Sequence, residues 1–303
     1  MGAHDDGARG QGAHTHDGDT SVTRLGVASG INVGFAVVQV VVGLALGSVA
    51  VLADAAHQVV DALGLVTALI ALTLALRPSD DQMSFGWGKA DALGGLLSAV
   101  LLLVSVGWIV LEAVERLREP AEVSGAGVIA IGLAGIAVNG GSVLLVGHGH
   151  QLSVEAARLH LLTDLAGSVI VVATGLVLTA GGWDGIDPLA SLLLSALVLH
   201  ATWRLARNAV DELLDRAPAT VTPDAIRDAL ADLGGVTDVH HVHSRPLGGG
   251  KVSVTAHVVV DGAQSLHEAQ ATIDQVSARL ADRLGVAHTT LQLECHDCDA
   301  PEH

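Results

Sequence analysis

From about residue 25 to residue 205, apolar stretches alternate with short polar breaks, and each stretch is long enough to cross a bilayer as a helix. They fall near 25–47, 49–76, 90–111, 124–147, 153–180 and 186–205. The break at Gly47-Ser48 is so short that it predicts an antiparallel hairpin of the first two helices. Arg77-Pro78-Ser79-Asp80-Asp81 stops the second helix and Glu119-Pro120 the third, since proline cannot continue the ladder. Beyond residue 210 the pattern becomes that of a water-soluble domain. Helical spacing at 223–233 and 265–284 brackets two alternating stretches, 236–243 and 251–260, joined by Gly248-Gly249-Gly250, and 289–293 alternates again. The order αββαβ predicts a small sheet with helices on one face, which gains stability by pairing with a second copy. The expected layout is a disordered, His-containing arm (1–20), an all-α six-helix membrane domain (21–208), an α+β domain (209–295) and a short tail (296–303).

Composition strengthens the membrane reading. Half of the 303 residues are hydrophobic and mean hydropathy is +0.53, which is uncommon for a soluble chain of this size. Aromatic residues make up only 2%, so the helices are built from Ala, Val, Leu, Ile and Gly, which pack closely in lipid. The four tryptophans, Trp87, Trp108, Trp183 and Trp203, fall near the ends of apolar runs, as an interfacial belt requires. The first 20 residues lack the basic start and apolar core of a signal peptide, so no cleavage is expected. With a cytoplasmic N-terminus, Arg9, Arg24, Arg77, Lys89, Arg158, Arg204 and Arg207 lie inside and only Arg116 and Arg118 outside. The positive-inside rule therefore places both termini in the cytoplasm. A formal charge of −17 leaves no basic patch for phosphates and excludes nucleic acid as a partner. The abundance of Ala, Gly, Val and Asp suggests a GC-rich bacterial genome, and hence a bacterial inner membrane.

Ionisable residues inside spans are costly and point to function. The second span carries Asp54, His57 and Asp61, and the fifth carries His160 and Asp164. His-x-x-x-Asp thus occurs twice, and a separation of four places both side chains of each pair on one helix face. At about 1.5 Å per residue the two pairs lie at matching depth near the middle of a core about 30 Å thick. Two imidazoles and two carboxylates can close a tetrahedron, the geometry zinc prefers. Metal needs neutral His and ionised Asp, so protons compete with it, which is the physical basis for proton-coupled exchange. Four protein ligands close the site to water, and no His-Glu-x-x-His occurs, which argues against a hydrolytic metalloenzyme. Asn32 and Asn139, also inside spans, read as helix–helix hydrogen-bonding residues.

These residues resemble the cation diffusion facilitator family, in particular its zinc-transporting branch. The matching stretches are 47–57 (GSVAVLADAAH) with Asp61, His160-Leu161-Leu162-Thr163-Asp164 followed by Gly167-Ser168, 187–191 (DPLAS) and 239–243 (VHHVH). The resemblance spans roughly 22–295 and implies six spans, a cytoplasmic ferredoxin-like domain, a homodimer and alternating access driven by protons. It implies that His57, Asp61, His160 and Asp164 bind the transported ion. Two His ligands favour zinc over manganese or iron, with cadmium or cobalt as further cargo. In the cytoplasmic domain it implies a metal site at His240, His257, His288 and Glu294 that couples cytosolic metal to transport. Cys295-x-x-Cys298, beside His296, has ligand spacing but lacks the second half of a structural zinc site. Gly86-Trp87-Gly88-Lys89-Ala90-Asp91 departs from the family's usual aromatic, Arg and Glu, and Gln39 stands where an acidic residue is common. The competing expectation is a membrane-anchored metal sensor that moves no ion.

Overall fold

The computed structural model describes residues 11–46, 49–118, 125–149, 151–180 and 186–296. The chain divides into two compact units, Met1–Ala209 and Val210–His303. Six long helices come first: α1 (Gln11–Leu46), α2 (Val49–Ala75), α3 (Ala90–Arg118), α4 (Gly125–Val146), α5 (Leu152–Thr179) and α6 (Ile186–Leu213). They are followed by α7 (Pro223–Leu230), β1 (Val236–Gly248), β2 (Lys251–Val260), α8 (Leu266–Leu284) and β3 (His288–Glu294).

Among the described residues, four helices carry windows long and apolar enough to cross a membrane: Ser21–Val38, Gln58–Ala75, Ala90–Glu115 and Leu152–Val177. Gly132–Val146 is a shorter apolar stretch. Large apolar side chains point away from the protein along these helices, among them Val41, Leu44, Val104, Leu111 and Leu144. Such a surface is stable only against lipid tails. Helical backbone is described from Gln11 onward, within the stretch expected to be a disordered arm, since a helix nucleated by the apolar span propagates at low cost into adjoining polar residues. α3 and α6 likewise run past their expected ends at 111 and 205.

α1 packs along α2 and α4, α2 along α3 and α5, and α4 along α5. Leu25 and Ala28 of α1, Leu65, Ala68 and Leu72 of α2, Val146 of α4 and Val154, Ala157 and Leu161 of α5 form their common core. Small residues set the closest approaches. A Cβ at Gly94 of α3 would overlap the Cβ of Ala71 on α2. Gly94→Val is therefore expected to force the two helices apart at a cost of about 1–3 kcal/mol, read as a lower thermal midpoint of the detergent-solubilised protein. Asn32 of α1 donates from Nδ2 to Ser142 Oγ of α4 at 3.1 Å, the helix–helix hydrogen bond its polarity predicts.

In the second unit the predicted order αββαβ is present, and the sheet runs β1-β2-β3 with β1 and β2 antiparallel and β2 and β3 parallel. The triple glycine makes the hairpin, with φ of +91, +59 and +76 at Gly248, Gly249 and Gly250, angles that side chains disfavour. α8 starts with a reciprocal cap between Ser265 and Glu268 and ends at left-handed Gly285. Ile226 and Leu230 of α7 and Val276 and Leu280 of α8 cover Val254, Ala256 and Val258 of β2. The alternate strand positions, including His257, therefore belong to the opposite, helix-free face.

Candidate metal centre

Within the bundle, α2 and α5 bring three of the expected ligands together. The ligand atoms of Asp61, His160 and Asp164 all lie within 4.8 Å of one another. His160 Nε2 is 3.2 Å from Asp61 Oδ1 and 3.9 Å from Asp164 Oδ2. His160 and Asp164 share a face of α5 because they are one turn apart. Asp61 reaches them from α2, whose Gly64 lies against the imidazole: a Cβ there would be in ordinary contact, 3.7 Å from His160 Cε1. Asp61 and His160 are 3% and 4% exposed, so an ion between them would be screened little by bulk water. Ser105 of α3, also buried, donates its hydroxyl to Asp61 Oδ1 at 3.1 Å and fixes the orientation of that carboxylate. His57 precedes Asp61 by one turn of α2, and its side chain lies outside the described residues, as does that of Asp54.

A second cluster lies on the helix-free face of the cytoplasmic sheet. His240 pairs directly across from His257 in the β1–β2 ladder, and Glu294 ends β3 beside them. His257 Nδ1 is 2.8 Å from Glu294 Oε1, and His240 Nε2 is 3.1 Å from Glu294 Oε2. Asp238 Oδ2, 3.0 Å from His240 Nδ1, orients the ring from its other side. Partial desolvation pushes the Glu294 carboxyl up. The hydrogen bond from Gln292 and the neighbouring His257 and His240 outweigh it, and the net shift is downward. The carboxylate is thus held ionised, as a ligand must be.

Most of the chain has counterparts among known proteins. Residues 25–214 match the cation efflux transmembrane domain, and residues 218–296 match the cation efflux protein cytoplasmic domain. The chain belongs to the cation diffusion facilitator family. It is 38% identical to the zinc transporter ZitB of Shigella flexneri over 288 residues, which is 94% of this chain and 91% of that protein. It is 31% identical to the metal cation efflux system protein CzcD of Cupriavidus metallidurans, over 96% and 93% of the two chains. A cadmium, cobalt and zinc/H(+)-K(+) antiporter of Bacillus velezensis is 26% identical, over 93% and 91%.

In this cation diffusion facilitator His241 joins the cytoplasmic cluster, a position the sequence reading does not single out as a ligand. The ligand atoms of His240, His241 and His257 also lie within 4.8 Å of one another. Strict alternation would aim His241 at the core and Val242 away from it. Instead the register shifts between His240 and His243, and His241 takes a left-handed φ of +47. That extra residue flips the phase, so two successive histidines share the open face and Val242 enters the core. The only sequence signal is the doubled His itself, since a bulge leaves no period. His288 is not brought into this cluster: it begins β3 opposite Ser253, about 20 Å along the strand from Glu294. Cys295 is exposed, with Sγ 3.5 Å from His296 Nδ1, and Cys298 lies outside the described residues.

Proposed function

We propose that this chain exports Zn2+ from the cytoplasm in exchange for protons, by alternating access through a tetrahedral site of His57, Asp61, His160 and Asp164. One observation carries the reading: two carboxylates and an imidazole from two helices, α2 and α5, converge within 4.8 Å inside an apolar bundle. The names of the relatives, a zinc transporter and a cadmium, cobalt and zinc/H(+)-K(+) antiporter, agree with cargo and coupling, and leave cadmium and cobalt as further cargo. Two ionised carboxylates neutralise a divalent ion, and two neutral imidazoles add the borderline-soft donors that suit zinc. When protons take the place of the metal on both carboxylates, the emptied site is neutral and crosses the apolar region without a bare charge. The reading has six spans with both termini cytoplasmic, in a bacterial inner membrane; the order of long helices, the placement of Arg and Lys and the bacterial relatives support it.

In the cytoplasmic unit, His240, His257 and Glu294, joined by His241, form a donor set that suits zinc as well. This domain matches a cytoplasmic domain of cation efflux proteins and pairs with a second copy in a homodimer. Zinc on its open face would report the cytosolic metal level to the transporter. Chelating the metal is expected to lower the thermal midpoint of the full-length protein, since an ion at about 100 times its Kd stabilises by about 2.7 kcal/mol. Glu294→Ala should largely remove that response, as followed by differential scanning with and without added zinc.

The same cluster is the observation that favours the sensor reading, in which the spans only anchor a metal-binding domain. Zinc uptake into vesicles under an imposed pH gradient separates the two. Transport predicts uptake that follows the gradient in the wild type and is lost in the Asp61→Ala, Asp164→Ala double variant. Silence of both forms, with zinc still bound by the cytoplasmic unit, would establish the sensor instead.

A further inference from the structure

α5 presents His160 and Asp164, yet it begins without a cap of its own. The Gln151 carbonyl accepts the first intrahelical bond, from Glu155 N–H at 3.0 Å, which makes Gln151 the cap residue. Glutamine is not among the residues that cap well. The cap comes from another helix. Asp91, in the first turn of α3, accepts the Leu152 N–H on Oδ2 at 2.6 Å and the Ser153 N–H on Oδ1 at 3.1 Å, and the Ser153 hydroxyl also donates to Oδ1. Asp91 is 2% exposed and Ser153 fully buried. One turn further along α3, Gly95 admits the α5 backbone: a Cβ there would lie 3.1 Å from Leu152 Cβ and 3.3 Å from its carbonyl carbon. Charge and shape on α3 thus form a socket for the first two residues of α5.

We propose that Asp91 is a positioning residue for transport, fixing the height and rotation of α5 on α3 so that His160 and Asp164 meet Asp61. The inference rests on the reading of that trio as the ion site. α3 touches both halves of the site: Ser105 holds Asp61 of α2, and Asp91 holds the start of α5. A buried carboxylate is a costly way merely to cap a helix that a Ser or Asp at position 151 would cap locally. What the distant carboxylate adds is registry. Its charge-assisted bonds to the positive end of α5 are directional and specify one docking. Metal ligands tolerate displacements of only about 0.5 Å, and a helix free to turn by one residue rotates by about 100°.

The two roles, capping and positioning, come apart in a rescue experiment. The variants are Asp91→Ala alone and Asp91→Ala with Gln151→Asp, which restores a local cap without the tether to α3. All are made in full-length protein carrying His257→Ala and Glu294→Ala, so that zinc titration in detergent reads the bundle. Asp91→Ala should weaken zinc binding by roughly 10–100-fold, the scale of lost outer-shell support, and lower the thermal midpoint. Adding Gln151→Asp should restore the midpoint and leave zinc binding weak. Recovery of both together, or zinc binding unchanged in Asp91→Ala, would overturn the proposal. Should Asp91→Ala fail to fold, Asp91→Asn keeps the side-chain size, and the same two outcomes decide. Flux by the wild type and by its Asp164→Ala variant runs alongside. A wild type that binds zinc but moves none sinks the transport reading, while the titration still decides the role of Asp91.

Discussion

Asp164→Ala is expected to stop zinc transport while the protein still inserts and folds. The proposed ion site needs two negative charges to neutralise a divalent cation, and in a region of low dielectric each carries far more weight than in water. Removing one leaves a net positive charge on the bound state inside the bundle, a penalty of a few kcal/mol or more. The loss in flux should therefore exceed the roughly 10–100-fold that an outer-shell change costs. Insertion should not suffer, because Ala replaces a buried ionisable group that was itself a burden in the apolar region. Asp164→Asn sharpens the result. It preserves the shape and much of the hydrogen bonding of Asp but not its charge, so it should be as silent as Ala. Zinc flux in vesicles, normalised to inserted protein, checks both. Substantial flux through the Asn variant would mean that geometry rather than charge governs the site.

Much of this was legible in the sequence because it is periodic. Span positions follow from run length, and the pairing of His160 with Asp164 follows from one turn of helix. The Gly248–Gly250 hairpin and the αββαβ order follow from turn chemistry and alternation. What escaped the sequence reading depends on contacts between elements. Ser105 looks like any small polar residue in a span until the packing of α3 on α2 brings it to Asp61. Asp91 stands out in sequence only as a departure from the family pattern, and its partner is the start of a helix some sixty residues away. His241 needed the bulge, which inverts the alternation that would send it into the core. His288 was linked to the cytoplasmic cluster by resemblance alone, and the length of β3 keeps it apart from Glu294 within one chain.

His160→Asp is expected to change which ion is carried rather than simply reduce the rate. His160 lies 3.2 Å from Asp61 and 3.9 Å from Asp164, and it is one of the two imidazoles of the proposed site. Replacing it leaves His57 with Asp61, Asp164 and a third carboxylate, a harder, oxygen-rich set that shifts preference from zinc toward manganese. Zinc loses an imidazole it prefers at about 2.0–2.1 Å and gains a donor it holds less selectively. Charge acts in the same direction. Three carboxylates overcompensate one divalent ion, so the site retains a proton or an additional cation and releases zinc less cleanly on exchange. Zinc flux should fall by more than about tenfold, while manganese gains relative to it. Competition between the two ions in the same vesicles gives the ratio directly. If the ratio stays fixed while both fluxes fall together, His160 acts as a spacer within the bundle, and selectivity must lie with the remaining ligands.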